Sequence, residues 1–338
     1  MLARAINLLY EKVCGCMQEI LVHMKAQRND SFPINSEVYW VRGLSISRNC
    51  VEREECSFDK ETEDAEQWKA KGKILMQEGK YAEANQCFDL ALRAFPDDLE
   101  TLENKGICFY ETGYWEIALT CFNQALTLRP RDPRLLAHKG LCFCHMGCYE
   151  DAIKCFQKAI RNGAKCASLW NNKGFCLVKL GRYHQAYKAF KKALEYEDNS
   201  PELYCNLATC LISLGHYKEA EHYFTKALAL GSNDPLLFNN LALCFEIQGK
   251  LELALQYFEQ ACNSAPDNLT YLYNKGNCYL KMKCWEEALK CVKEVVTKDP
   301  GNTPAWITLG NIYLTLEDEK TALEYYNTAI AGCRNLPK

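Results

Sequence analysis

An all-α solenoid of stacked helix pairs is the fold class this sequence predicts, and three observations predict it. A 34-residue period runs through eight consecutive stretches, from Ala65 to about Asn335, without an insertion or deletion. Small residues recur at fixed register: Gly72, Gly106, Gly140, Gly174, Ala208, Ala242, Gly276 and Gly310 form one series, and Ala84, Ala118, Ala152, Ala186, Ala220, Ala254, Ala288 and Ala322 another. Bulky residues answer them at Phe88, Phe122, Phe156, Phe190, Phe224, Phe258 and Tyr326, with Val292 as the odd member. Small residues let two helix backbones approach, and a ring four places beyond the alanine fills the groove beside them. Each stretch therefore reads as two packed helices.

Taken in order, the chain begins with residues 1–26, where Leu2, Ile6, Leu9, Val13, Met17, Ile20 and Met24 recur at helical spacing and predict an amphipathic helix. Three readings compete for it. Glu11 and Lys12 interrupt the apolar run and argue against a signal peptide, a single early Arg4 is thin support for a mitochondrial presequence, and capping the solenoid or binding a partner is the expectation. Residues 27–64 read as a linker whose acidic end, Glu61, Glu63, Asp64 and Glu66, is a solvated run. The repeats then occupy 65–98, 99–132, 133–166, 167–200, 201–234, 235–268, 269–302 and 303–336. Asp132-Pro133, Ser200-Pro201, Asp234-Pro235 and Thr303-Pro304 each put a capping side chain before a proline, where a first helix must start. Gly79, Gly113, Gly147, Gly181, Gly215 and Gly249 fall between the two helices of their repeats, at a turn that favours an open φ. The last helix is expected from about Asp318 to Ala331, leaving no room before Lys338 for a closing polar helix. That end reads either as a docking surface or as the end of a shortened form.

Trp68, Gly72, Tyr81, Ala84, Phe88, Ala91 and Pro96 in the first unit, with Trp306, Leu309, Gly310, Tyr313, Ala322, Tyr326 and Ala329 in the last, resemble the tetratricopeptide repeat (TPR). The resemblance covers about four fifths of the chain and implies a right-handed superhelix of antiparallel helix pairs. Lys71, Lys105, Lys139, Lys173 and Lys275 depart from the family's usual Leu, and the expectation is a stem along the surface with its ammonium in water.

A solenoid has no central core and grows by stacking, so one elongated domain is expected despite a length of 338 residues. A net charge of −3 without a basic stripe argues against a nucleic-acid binder. No apolar run approaches the roughly 18 residues that span a bilayer. Of the 21 cysteines, Cys108, Cys142, Cys176, Cys210, Cys244 and Cys278 share one repeat position, and Cys87, Cys121, Cys155 and Cys291 share another. These serve as compact hydrophobes. Cys14 with Cys16, and Cys142 with Cys144 and Cys148, lack the paired spacing of a zinc site, so no metal or other cofactor is expected. So many thiols without a secretion signal point to a reducing, cytoplasmic compartment. No phosphate loop, H-E-x-x-H helix or G-x-S-x-G elbow is present, and the expectation is a protein that is not an enzyme.

In TPR proteins the first helices line a concave groove into which the sixth position of each repeat points. By that resemblance the candidate peptide-binding residues are Asn104, His138, Asn172, Asn206, Asn240 and Asn274, with Ala70 and Thr308 as further exceptions to the asparagine. A carboxamide donates and accepts, so it grips a peptide backbone whatever the side chains are. Helices 8–10 Å apart and a strand rise of about 3.3 Å would let one Asn meet roughly every third ligand residue. The row resembles the asparagine ladder of O-linked N-acetylglucosamine transferases, whose catalytic domain has no counterpart here. Asn is also common at this position in the family as a solvated helix residue. A second resemblance is to co-chaperones that clamp an acidic C-terminus: Lys69, Asn104 and Arg134 match, while Lys73 and His138 replace Asn and Arg. The expected function is a non-catalytic scaffold or adaptor that holds an extended segment of another protein. The alternatives are a co-chaperone with a degenerate clamp and a regulatory subunit of an enzyme on another chain.

Overall fold

A computed structural model describes residues 58–334, and side chains over 63–332. The N-terminal helix expected over residues 1–26 and most of the linker lie outside the described residues. Among these residues the fold is all-α, with sixteen helices and no strand. They divide into two compact units, 58–232 and 233–334. Sequence periodicity predicts one elongated domain; the division falls at 230–234, where Gly231 takes φ 87° and the next helix waits for its capping Asp234.

The first unit holds five helix pairs: α1 (Phe58–Gln77) with α2 (Tyr81–Ala94), α3 (Leu99–Glu111) with α4 (Trp115–Leu128), α5 (Pro133–His145) with α6 (Tyr149–Arg161), α7 (Ala167–Lys179) with α8 (Tyr183–Leu194), and α9 (Pro201–Ser213) with α10 (Tyr217–Ala229). The second unit holds three: α11 (Pro235–Ile247) with α12 (Leu251–Ser264), α13 (Leu269–Lys281) with α14 (Trp285–Lys298), and α15 (Thr303–Thr315) with α16 (Glu319–Arg334). In the first unit each first helix from α1 to α7 also packs on the next repeat's first helix, so these helices share one continuous face. Helix α1 begins at Phe58, so residues 58–64 are its opening turns rather than linker. Glu63 and Asp64 sit there, both exposed to solvent.

The small-to-large pairing is physical. A methyl group built on Gly106 would lie 2.7 Å from the Phe122 ring, and one on Gly310 would lie 2.5 Å from the Tyr326 ring. Ordinary carbon contacts need about 3.5–4.0 Å. Phe88, Phe122, Phe156, Phe190, Phe224, Phe258 and Tyr326 are fully buried. Gly276 faces Val292 instead of a ring.

Asp132, Ser200 and Asp234 cap their helices as expected, and Asp98 and Asn268 do the same before α3 and α13. At α15 the cap is Asn302, whose Oδ1 accepts from the Ala305 amide at 3.1 Å. Thr303, expected there from its proline, is instead the buried first helical residue. The turn glycines take positive φ, while Lys283 (62°) and Glu317 (63°) occupy the same turn without being glycine.

The repeat lysines do more than lie along the surface. Lys139 donates to Asn123 Oδ1 at 2.6 Å, Lys275 pairs with Glu259 at 3.2 Å, and Lys105 pairs with Asp89, each a clasp onto the preceding repeat's second helix. The ammonium of Lys173 sits 4.9 Å from the Trp170 ring centroid, and burial pulls its pKa down. The six-repeat cysteine column is fully buried. Desolvation pushes the Cys108, Cys210 and Cys278 thiols up to about 11 and Cys142 to about 12, as inert packing thiols require.

Candidate peptide-binding face

The sixth-position side chains all sit on first helices, but they do not stand alone. Asn206 Nδ2 on α9 donates to Asn171 Oδ1 on α7 at 2.9 Å, and in the second unit Asn274 Nδ2 on α13 donates to Asn239 Oδ1 on α11 at the same distance. The Tyr273 hydroxyl meets Thr308 Oγ1 at 2.9 Å, and His138 Nε2 lies 3.9 Å from Glu103 Oε1. Every one of these pairs spans 35 residues, joining position five of one repeat to position six of the next. Asn239 also donates to Asn240 at 3.3 Å. Asn172 stands beside Asn171 on α7, half-buried. The rotamers of Asn206, Asn274 and Thr308 are thus held by the neighbouring helix, which lowers the entropy lost when a ligand docks. Reading the sequence by the sixth position alone misses the fifth; the doublets Asn171-Asn172 and Asn239-Asn240 carried that signal.

A second offset of the same length joins positions twelve and thirteen. The Tyr110 hydroxyl contacts His145 Nε2 at 2.9 Å, with the rings edge to face, and Glu246 Oε2 pairs with Lys281 Nζ at 3.1 Å.

The clamp-like residues fall together on α1, α3 and α5, yet they are matched by the chain's own acids. Lys69 Nζ lies 3.0 Å from Asp98 and 3.0 Å from Glu100, and Lys73 also reaches Glu100. Burial alone would lower the Lys69 pKa; its hydrogen bonds to Asp98 and Glu100 outweigh this and hold it above the usual lysine value. Arg134, with an exposed head, reaches Glu103 at 3.6 Å and Asp132 at 4.0 Å. An incoming C-terminal carboxylate would therefore have to displace resident carboxylates. Asn104 lines an adjoining cavity of about 490 Å³ together with Asp98, Glu100, Glu103, Arg129 and Arg134. Glu103 is 11% exposed at its side chain, and burial pushes its carboxyl pKa up. His138 stacks on Phe122 with ring centroids 5.1 Å apart; burial, then the Arg134 charge, pulls its pKa down. A neutral imidazole results near pH 7, without the charge a clamp needs.

Among the described residues no group of three or more His, Cys, Asp or Glu could hold a metal ion, and no helix is long and apolar enough to cross a membrane.

These helix pairs have counterparts of known structure. The chain is similar to a tetratricopeptide repeat protein from Parabacteroides merdae, with 17% identity, a TM-score of 0.57, and coverage of 79% of this chain and 99% of that one. It is also similar to Pseudomonas aeruginosa pilF, with 19% identity, a TM-score of 0.55, and coverage of 64% and 96%. A third similar structure is the anaphase-promoting-complex hetero-tetramer Cut9-Hcn1, with 17% identity and a TM-score of 0.56, where the match covers 75% of this chain and half of that one. At these identities the likeness shows the fold alone. No curated protein matches in sequence. Tetratricopeptide repeat models match residues 205–268, 270–302 and 303–331, so the chain is a TPR protein, and a TPR fold is a scaffold for protein partners. A further model spans 53–236, more than half of the sequence, and by it the chain belongs to the family described as the Cilia and flagella-associated protein 70 C-terminal domain.

Proposed function

We propose that the chain is a non-catalytic scaffold of cilia or flagella whose first-helix face holds an extended segment of another protein. One observation carries the reading: the bonds Asn171–Asn206 and Asn239–Asn274 fix polar side chains across neighbouring first helices in each unit. Preset donors and acceptors at repeat spacing suit a peptide backbone, whose N–H and C=O recur regularly. The family's description supports the ciliary setting. The carboxylate-clamp alternative draws less support, because Lys69 and Lys73 are already matched by Asp98 and Glu100.

Photo-crosslinking tests which face is used. Phe175 on α7 and Ile117 on α4 are both exposed, one on a first helix and one on a second. With benzoylphenylalanine at either position in the full chain, incubated in extract from ciliated cells, position 175 should crosslink peptides of defined sequence. Crosslinks confined to position 117 would count against the first-helix face.

A further inference from the structure

In the second unit a cavity of about 430 Å³ is lined by Leu243 and Glu246 of α11 and by Asn274, Asn277, Leu280 and Lys281 of α13. Glu246 is unusual among them. Its side chain is 8% exposed, Oε2 is paired with Lys281, and Oε1 is buried without any hydrogen-bond partner. A buried carboxylate oxygen left unpaired is costly, and native structures rarely keep one without a use. Lys281, 52% exposed, is engaged with Oε2, which leaves Oε1 to another donor.

We infer that this cavity is a pocket for a partner's arginine side chain, with the guanidinium donating to Glu246 Oε1. The inference rests on the first-helix reading above and deepens it by naming one side chain the bound segment must carry. Four features converge on that choice. Glu246 offers a charged acceptor inside the pocket. The Asn274 amide is committed to Asn239, so that bond leaves its carbonyl oxygen out of use, and a guanidinium fork can engage two acceptors at once. Leu243 and Leu280 give apolar walls against which a three-carbon stem packs. A lysine ammonium, compact and strongly hydrated, matches paired acceptors less well than the planar fork. The site needs no covalent step, and the ion pair Glu246–Lys281 becomes a three-membered network on binding.

The test uses the full chain, deuterated and isotope-labelled, with N-acetyl-arginine amide as the probe and nuclear magnetic resonance of the asparagine side-chain amides as the readout. Titration to millimolar concentration should shift the Asn274 and Asn277 amides saturably. Glu246→Gln, which keeps size and shape, should weaken the effect by about tenfold or more, as loss of a charged hydrogen bond implies. N-acetyl-citrulline amide, isosteric and neutral, should leave the signals in place. Because citrulline alters only the probe, that arm holds even if the variant folds poorly. Unmoved signals with the arginine probe, or equal shifts with citrulline, would overturn the inference. Either result leaves the first-helix reading intact if crosslinking at Phe175 still succeeds, so the two failures are distinguishable.

Discussion

Replacing Gly140 with Ala sets two effects of opposite sign against each other inside one helix pair. Alanine favours the helix over glycine by about 1 kcal/mol. Its methyl group, however, would stand 2.6 Å from Cε1, 2.9 Å from Cδ1 and 3.0 Å from Cζ of Phe156. Restoring ordinary contact moves the ring by roughly 1 Å. Phe156 is fully buried and has little room, since Ala152 and Ala159 on the same helix are buried as well. Overpacking of this kind costs about 1–3 kcal/mol, so the net expectation is a loss of roughly 1 kcal/mol. Repeat arrays need not unfold as one body, so urea unfolding by circular dichroism should be joined by hydrogen exchange of the α5 and α6 amides. Gly147→Ala is the internal contrast: φ is 74° and nothing lies within 4 Å of the added carbon, so its cost of about 1–2 kcal/mol is purely backbone. Phe156→Val should rescue Gly140→Ala in part, as the natural pair Gly276 and Val292 suggests, with a coupling of about 1 kcal/mol. If Gly140→Ala instead stabilised the chain by about the propensity term of 1 kcal/mol, the packing argument would be refuted.

Two further outcomes are expected. Lys283 holds φ 62° where six other repeats place glycine, so Lys283→Gly should stabilise the second unit by about 0.5–1 kcal/mol in urea unfolding, and a destabilisation would contradict the strain argument. His138 has a folded-state pKa below the ordinary 6.5, so its contribution to stability is fully present above 6.5 and is lost as pH falls from there through the depressed value. The urea midpoint of the native chain should therefore drop more steeply than that of His138→Gln on acidification below 6.5, and parallel curves would remove the assignment.

Much of the fold was legible because the period is a packing period. Gly106 with Phe122 and Gly310 with Tyr326 leave marks in the sequence because only a small residue fits against the ring. The buried cysteine column is legible for the same reason. Thr303 misled because a capping residue before proline is a local rule, and Asn302 lies one place nearer the turn. The repeat lysines misled because their partners, such as Asn123 and Glu259, sit on another repeat. The site was half legible. Position six announces itself through Asn104, Asn172, Asn206, Asn240 and Asn274, but the bonding to position five arises only when neighbouring first helices are side by side. The neutralisation of Lys69 likewise depends on Asp98, which caps the next repeat's first helix, and on Glu100 within that helix. The partnerless oxygen of Glu246 has no sequence signature at all.

The most direct test of the central claim is peptide affinity. Peptides selected by display on the full native chain should be measured, by fluorescence anisotropy, against the native chain and against Asn172→Ala/Asn206→Ala/Asn274→Ala. Asn206→Ala and Asn274→Ala each remove a bond worth about 0.5–1.5 kcal/mol, so helicity is compared first to hold folding constant. The account predicts that helicity is retained and that affinity falls by about tenfold or more. Unchanged affinity for peptides that still bind the native chain would contradict it.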